Sequence, residues 1–255
     1  MSWLTDEPED RRLTRPPVGL VVCQVRHETE YATSDASRAL KIKDALGWPA
    51  DLTENTTQGI SVAFATDTGI TAAPSRSARG WQMRSSDGKW VATIQPDHFA
   101  IETTAYSGWE NFRGRLEELA AAVAEHVSPS LEHRIGLRFV NQITHPEVQN
   151  PQDWQKFVGE DLFQEKLYES VGDSFSAAMQ IIQVQPLKDH TLVMRHGFQI
   201  DEDSVPTYIL DNDCSRQGSR TFSPGTVMES MEILHKISLQ AFEMGTTKAL
   251  RDHLT

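Results

Sequence analysis

The segment RIGLRFVNQI at residues 134–143 alternates apolar and polar side chains with the period of a β-strand. Asn141 shares one face of this strand with four apolar residues, Ile135, Leu137, Phe139 and Ile143. Arg134 and Arg138 lie on the opposite face. Because an unpaired buried amide costs about 1–3 kcal/mol, Asn141 must find hydrogen-bond partners or lie where the core gives way to a polar gap. The segment predicts a strand that packs against a helix and carries cations on its other side.

Similar alternation recurs along the chain and is interrupted by helical patterns. We predict further strands at 19–27, 59–66, 79–85, 89–95, 98–105, 175–185, 190–200 and 207–214. We predict helices at 34–46, 107–129, 150–170 and 223–253. In the last of these helices Ser223 is the candidate N-cap and Pro224 the first helical residue.

The order strand, helix, several strands and long helix occurs twice. It predicts an α+β fold of two similar halves, in which curved antiparallel sheets pack against long helices. Residues 1–17, which are polar and contain prolines, are interpreted as a flexible arm. The first half then covers 18–130 and the second 131–255, and both pack as one compact unit. The halves share no clear residue identity, so this duplication is a structural hypothesis.

Composition limits the classes of partner. The 255-residue chain has a formal net charge of −12 and scattered lysines and arginines, which argues against nucleic acid as a partner because phosphate binding requires a basic surface. No apolar run reaches the eighteen residues typical of a membrane span, so no membrane partner is predicted. Cys23 and Cys214 are interpreted as buried, reduced thiols. We predict a cytoplasmic protein.

Five segments together carry a resemblance to a known family: RPPVGLVVCQVRH, WQMRSSDGKWVATIQPDHFAIETTAYSGWENF, RIGLRFVNQI, YILDNDC and AFEMGTTKALRDHL. In their order they resemble a sporadically distributed family of bacterial and phage-encoded proteins of similar length, for which no activity is established. The resemblance implies a single shared fold and supplies no reaction, cofactor or catalytic residue. Asn212 stands where relatives tend to have an apolar residue, a departure that bears on how deeply its strand is buried.

The pair Asp211 and Asp213 lies on one face of a predicted strand. Two such carboxylates can bind a divalent cation or shift each other's pKa for acid–base chemistry. They can equally form ion pairs across the sheet with Arg134, Arg138 or Arg195, and we favour this interpretation. The sequence contains no zinc-ligand spacing, P-loop, dinucleotide-binding glycine pattern or nucleophile motif. We therefore predict neither a metal nor a cofactor.

The candidate site is a polar network at the junction of the two halves. Its predicted binding residues are Arg134, Arg138, Asn141, Asp211, Asp213 and Glu102. Our leading hypothesis is a non-enzymatic protein-binding protein, antitoxin-like or associated with phage defence. The alternative is a hydrolytic enzyme that binds a small ligand or nucleotide through the arginine and aspartate cluster. A homodimer formed through sheet edges is a third hypothesis.

Overall fold

The structure is a computed structural model, and it describes residues 7–8, 13–48, 52–57, 60–65, 69–74, 78–166, 170, 177–200 and 205–255. The strands are β1 (Val18–His27), β2 (Leu52–Thr57), β3 (Ile60–Ala65), β4 (Gly69–Pro74), β5 (Ala78–Arg84), β6 (Trp90–Gln95), β7 (His98–Thr103), β8 (Leu131–Ile143), β9 (Ala177–Leu187), β10 (His190–Ile200) and β11 (Pro206–Thr221). The α-helices are α1 (Ala36–Ala45), α2 (Trp109–His126), α3 (Pro224–Gly245) and α4 (Lys248–Leu254). Short 3-10 helices occupy Tyr31–Ser34 and Pro151–Lys156.

One nine-stranded sheet dominates the fold, with the strand order β2-β5-β6-β7-β1-β8-β11-β10-β9. Every pairing between neighbouring strands in it is antiparallel. Strands β3 and β4 form a separate two-stranded sheet. The pair β1 and β8 lies in the middle of the large sheet, and there Val22 is opposite Arg138.

The predicted α+β architecture of two similar halves, with curved sheets packed against long helices, is wrong. A single sheet runs through both halves, because β1 and β8 pair from Val18 opposite Asn141 to His27 opposite Glu132. This ladder satisfies backbone groups that would otherwise lie at the edges of two smaller sheets. Few helices accompany the sheet. The domain boundaries at 18–130 and 131–255 remain a prediction.

Helices and one face of the sheet form a continuous apolar core, and we call this face the inner face. Its central residues come from β1, β8 and β11: Val21, Cys23, Val25, Ile135, Leu137, Phe139, Leu210 and Cys214. Against it pack the apolar stripes of α2 and α3: Phe112, Leu116, Leu119, Val123, Val227, Met231, Leu234 and Ala241. We call the opposite face, which carries Arg138 and Asp211, the outer face.

Local signals predicted several elements correctly. Helices α1 and α2 lie within the predicted ranges 34–46 and 107–129. The Ser223 side chain accepts a hydrogen bond from the Thr226 amide, and Pro224 is the first helical residue, as predicted. The predicted strand at 190–200 coincides with β10.

Other element predictions were wrong or incomplete. The long helix at 223–253 is interrupted at Thr246 and restarts as α4, for which Thr247 is the N-cap. Strand β11 extends to Thr221 rather than ending at 214. Strands β2 and β4 were not predicted. The predicted helical range 150–170 starts with a 3-10 helix, and residues 167–169 lie outside the described part of the chain.

The predicted arm at 1–17 is described at 7–8 and 13–17. The Arg15 amide donates to the Leu254 carbonyl at 3.0 Å, and the Gln142 amide donates to the Pro17 carbonyl at 2.9 Å. These bonds attach the end of the arm to β8 and to α4. None of the helices in the described ranges combines the length and the hydropathy that a membrane span requires.

Candidate functional site

Three adjacent strands bring the predicted arginines and aspartates together on the outer face. Asp213 of β11 lies opposite Arg138 of β8, and Asp211 lies opposite Arg195 of β10. Side chains two residues apart on a strand share a face, so Arg134 lies on the same side as Arg138. We call these five residues the outer-face charge cluster.

Asp211 is the centre of the cluster. The Nε and Nη2 atoms of Arg138 each donate to a different carboxylate oxygen of Asp211, both at 2.8 Å. Arg195 Nη1 donates to Asp211 Oδ2 at 3.3 Å. The Asp211 side chain is only 5% exposed, whereas that of Arg138 is 45% exposed. A buried carboxylate therefore fixes two guanidinium groups at the surface.

Asp213 makes longer contacts. Its Oδ2 lies 3.8 Å from Arg195 Nη1, and its Oδ1 lies 4.0 Å from Arg134 Nη2. The Arg134 guanidinium lies over Gly136, where a Cβ atom would come within 2.7 Å of Nη1. The absence of a side chain at residue 136 lets Arg134 extend along the sheet.

The electrostatics of the cluster favour fixed ion pairs. The hydrogen bonds that Arg138 donates to Asp211 hold the pKa of Arg138 above its ordinary value. Three arginines and two aspartates leave one excess positive charge in a chain whose net charge is −12. Both Asp211 oxygens accept hydrogen bonds from the arginines, and the Asp211 side chain is only 5% exposed.

Asn141, a predicted site residue, lies on the inner face and not in the cluster. It is buried, and its Nδ2 donates to the Leu210 carbonyl on β11 at 2.9 Å. The amide within the apolar face therefore finds a backbone partner. The sheet separates it from Arg138.

Glu102 was predicted as a companion of the arginines, and the structure places it elsewhere. It lies opposite Val22, which is in turn opposite Arg138. Two strand spacings, roughly 10 Å, separate the backbones of Glu102 and Arg138. Among the described side chains, Glu102 forms no ion pair.

Sequence reasoning missed a second charged pair, which is buried in the inner layer. Arg216 Nη2 donates to Glu132 Oε2, and both side chains are almost completely buried. Arg216 Nη1 also donates to the Gly218 carbonyl at 2.7 Å. The predicted strand ended at Cys214, but β11 continues to Thr221. Continued alternation of side chains beyond Cys214 is the sequence signal that could have identified Arg216 as a buried residue.

Asn212 and the thiols complete the inner layer. Asn212 is fully buried. Cys23 and Cys214 are both free and buried, as predicted, and burial raises the pKa of each thiol. In the described ranges, no group of three histidine, cysteine or acidic side chains is placed to hold a metal ion.

Two cavities lie away from the outer-face charge cluster. A polar cavity of about 520 Å³ lies between the end of α1, the β5–β6 turn and α2, with Trp48, Asp87 and Arg115 in its wall. An apolar cavity of about 210 Å³ lies beside β9 and β10. The cluster lines neither of them, and its Arg138 and Arg195 side chains are 45% and 35% exposed.

Comparison with models of protein families and with curated proteins found no match for this sequence.

Proposed function

We propose that the chain is a non-enzymatic protein-binding protein and that its outer-face charge cluster is the centre of the binding surface. The observation that carries the proposal is the pair of guanidinium groups held at an open surface by buried Asp211. Arginine is enriched in protein interfaces, and fixed side chains lose less entropy on binding. The cluster therefore offers oriented donors at small entropic cost.

The same geometry favours binding over the alternative of a hydrolytic enzyme. Small-ligand sites are usually concave and enclose most of the ligand, whereas the cluster is outside both cavities. Asp211 is paired with Arg138 and Arg195 and is only 5% exposed, so its carboxylate has little access to a substrate. Exposed arginines outside these cavities suit a macromolecular partner better than an enclosed nucleotide.

Arg138 and Arg195 suggest the chemistry of the partner. The exposed donors of Arg138 and Arg195 fit carboxylates or backbone carbonyls of a second protein. Asp213 fits a cationic side chain of that protein placed between the two arginines. We propose a partner encoded beside this chain, as in antitoxin-like or phage-defence pairs. Charge complementarity of this kind selects the partner and its orientation.

Co-purification from the native host tests this function. A tagged full-length chain should bring down the product of a neighbouring gene, and Arg195→Ala should weaken that association by roughly 30-fold or more if it is a hot spot. Arg113→Ala is the matched control, because Arg113 is similarly exposed but pairs with Glu232 on the helical layer. A chain that emerges alone while the neighbouring product is present would contradict the proposal.

A thermal-shift screen tests the enzymatic alternative separately. A ligand at 100 times its dissociation constant stabilises a protein by about 2.7 kcal/mol. We expect no shift with nucleotides or divalent metals. A shift that is lost in Asp211→Asn but kept in Asp87→Asn, which alters the polar cavity, would support the enzyme instead.

A further inference from the structure

Strand β9 is an unusual edge for a soluble sheet. It is the last strand in the order of the nine-stranded sheet and spans Ala177–Leu187, so no described strand pairs with its outer side. The sequence AAMQIIQVQPL contains no charged residue. Met179 and Ile181 are 51% and 70% exposed. A long, uncharged, apolar edge strand is a template for pairing with another strand.

The opposite edge of the sheet is short and charged, whereas β9 is eleven residues long and uncharged, and its Pro186 and the irregularity in its pairing with β10 lie near its C-terminal end. Strand β2 is only six residues long, Leu52–Thr57, and it includes Glu54. Arg79 of β5 donates to Glu54 at 2.9 Å across this edge. Short length and charge are the usual means of preventing edge pairing.

The inner layer beside β9 is incompletely packed. An apolar cavity of about 210 Å³ lies there, in contact with Asp161, Leu162, Ile182, Val184, Leu192, Met194 and Met244. On the inner face of β9, Ile182 and Val184 contact this cavity. On the outer face, Met179 and Ile181 are exposed to solvent. Apolar surface is left at both faces of the same strand.

We infer that β9 pairs antiparallel with β9 of a second copy of this chain, which joins two nine-stranded sheets across a twofold axis. The occupant is a second copy because an uncharged strand lets two chains of net charge −12 meet without facing like charges. When two strands pair antiparallel about a twofold axis, each copy contributes the same surface to the interface. Head-to-tail pairing with β2 fails, since that edge is shorter and charged.

The pairing would also change the outer face. Ile181 lies opposite Arg195, the outermost arginine of the cluster. Met179 and Ile181 of both copies would form an apolar strip between two outer-face charge clusters. The dimer does not depend on the proposed partner, because its contacts use β9 and not the arginines.

Light scattering and sedimentation of the full chain over a range of concentrations test the inference. The wild type should have twice the monomer mass of 28.6 kDa. Ile181→Lys should raise the dimer dissociation constant by at least about 100-fold, since pairing then loses the apolar strip and brings two like charges to neighbouring strands. Leu40→Lys is the matched control, because Leu40 is 43% exposed on α1, remote from β9. It should remain dimeric.

Hydrogen exchange provides a second measurement that a folding defect would not mimic. Amides of β9 should exchange more slowly in the wild-type dimer than in folded Ile181→Lys or Met179→Lys monomers, with α2 amides equal in all three. A monomeric wild type would overturn the inference. So would a dimer in which β9 exchanges as fast as it does in Ile181→Lys.

Discussion

Arg138 donates two hydrogen bonds to Asp211, the residue diagonal to it on β11, and not to Asp213, which lies directly opposite. Asp211 is nearly buried, whereas Asp213 is 27% exposed. A buried carboxylate needs its hydrogen bonds more than an exposed one does. Burial, and not strand register alone, therefore determines which aspartate Arg138 binds.

Asp211→Asn should destabilise the fold more than Asp213→Asn does. The first change leaves Arg138 and Arg195 without their shared carboxylate and should lower the free energy of unfolding by about 1–3 kcal/mol. The second removes only contacts of 3.8 and 4.0 Å and should cost less than about 1 kcal/mol. Urea unfolding of both variants measures the difference, and equal losses would contradict the role given to Asp211.

The sequence correctly predicted which side chains share a face of a strand, but not which strands are neighbours in the sheet. Period-two spacing placed Arg134 with Arg138, and Asp211 with Asp213, because side chains alternate along any strand. It could not show that β7 and β8 are separated by β1, which moves Glu102 two strands away from Arg138. Strand order depends on hydrogen bonds between residues far apart in the chain, and local spacing does not record them.

The prediction of separate curved sheets packed against long helices failed for the same reason. The order of elements is a local property, whereas the joining of β1 to β8 depends on pairing between segments more than a hundred residues apart. The inner face was easier to predict, since apolar periodicity identified Ile135, Leu137 and Phe139. Polar groups inside that layer, such as Arg216, were missed because their partners lie on other strands.

Asn141 should tolerate neither an apolar nor an acidic replacement. Asn141→Leu removes the donor to the Leu210 carbonyl and should cost about 1–3 kcal/mol. Asn141→Asp should cost more at neutral pH, because a buried carboxylate would face a carbonyl oxygen. Denaturation at two pH values is the measurement, and the aspartate variant should recover part of its stability at acidic pH. A loss that does not change with pH would contradict this explanation.

The buried thiols should react only after unfolding. Cys23 Sγ lies 3.5 Å from Met231 Sδ in the core, and burial raises the pKa of both Cys23 and Cys214. The thiolate is the reactive form, so a thiol reagent should modify the native chain far more slowly than the urea-unfolded chain. Mass spectrometry of a labelling time course counts the modified thiols. Rapid labelling of either cysteine under native conditions would contradict the packing described for the core.

Stability should fall as the pH decreases below about 6.5, the pKa of an unperturbed histidine. Burial lowers the pKa of His27, His190 and His196. Because the pKa of each histidine is lower in the folded state, the unfolded chain binds more protons. The stability associated with these neutral, buried histidines is therefore fully present above pH 6.5 and is lost as the pH falls below it. His196→Phe should reduce the pH slope of the unfolding free energy by up to about 1.4 kcal/mol per pH unit. Guanidinium titrations between pH 5 and 8 measure the slope, and a slope equal to that of wild type would contradict the prediction.

The buried pair Glu132 and Arg216 should be strongly non-additive in a double-mutant cycle. Glu132→Gln leaves the Arg216 guanidinium buried without its counter-charge, and Arg216→Met leaves a buried carboxylate, since both side chains are almost inaccessible. Each single change should cost about 3–5 kcal/mol. The double variant should lose less than either single variant, because it buries no unpaired charge. Urea unfolding of the four proteins completes the cycle, and single losses that simply add would show that the two side chains do not interact.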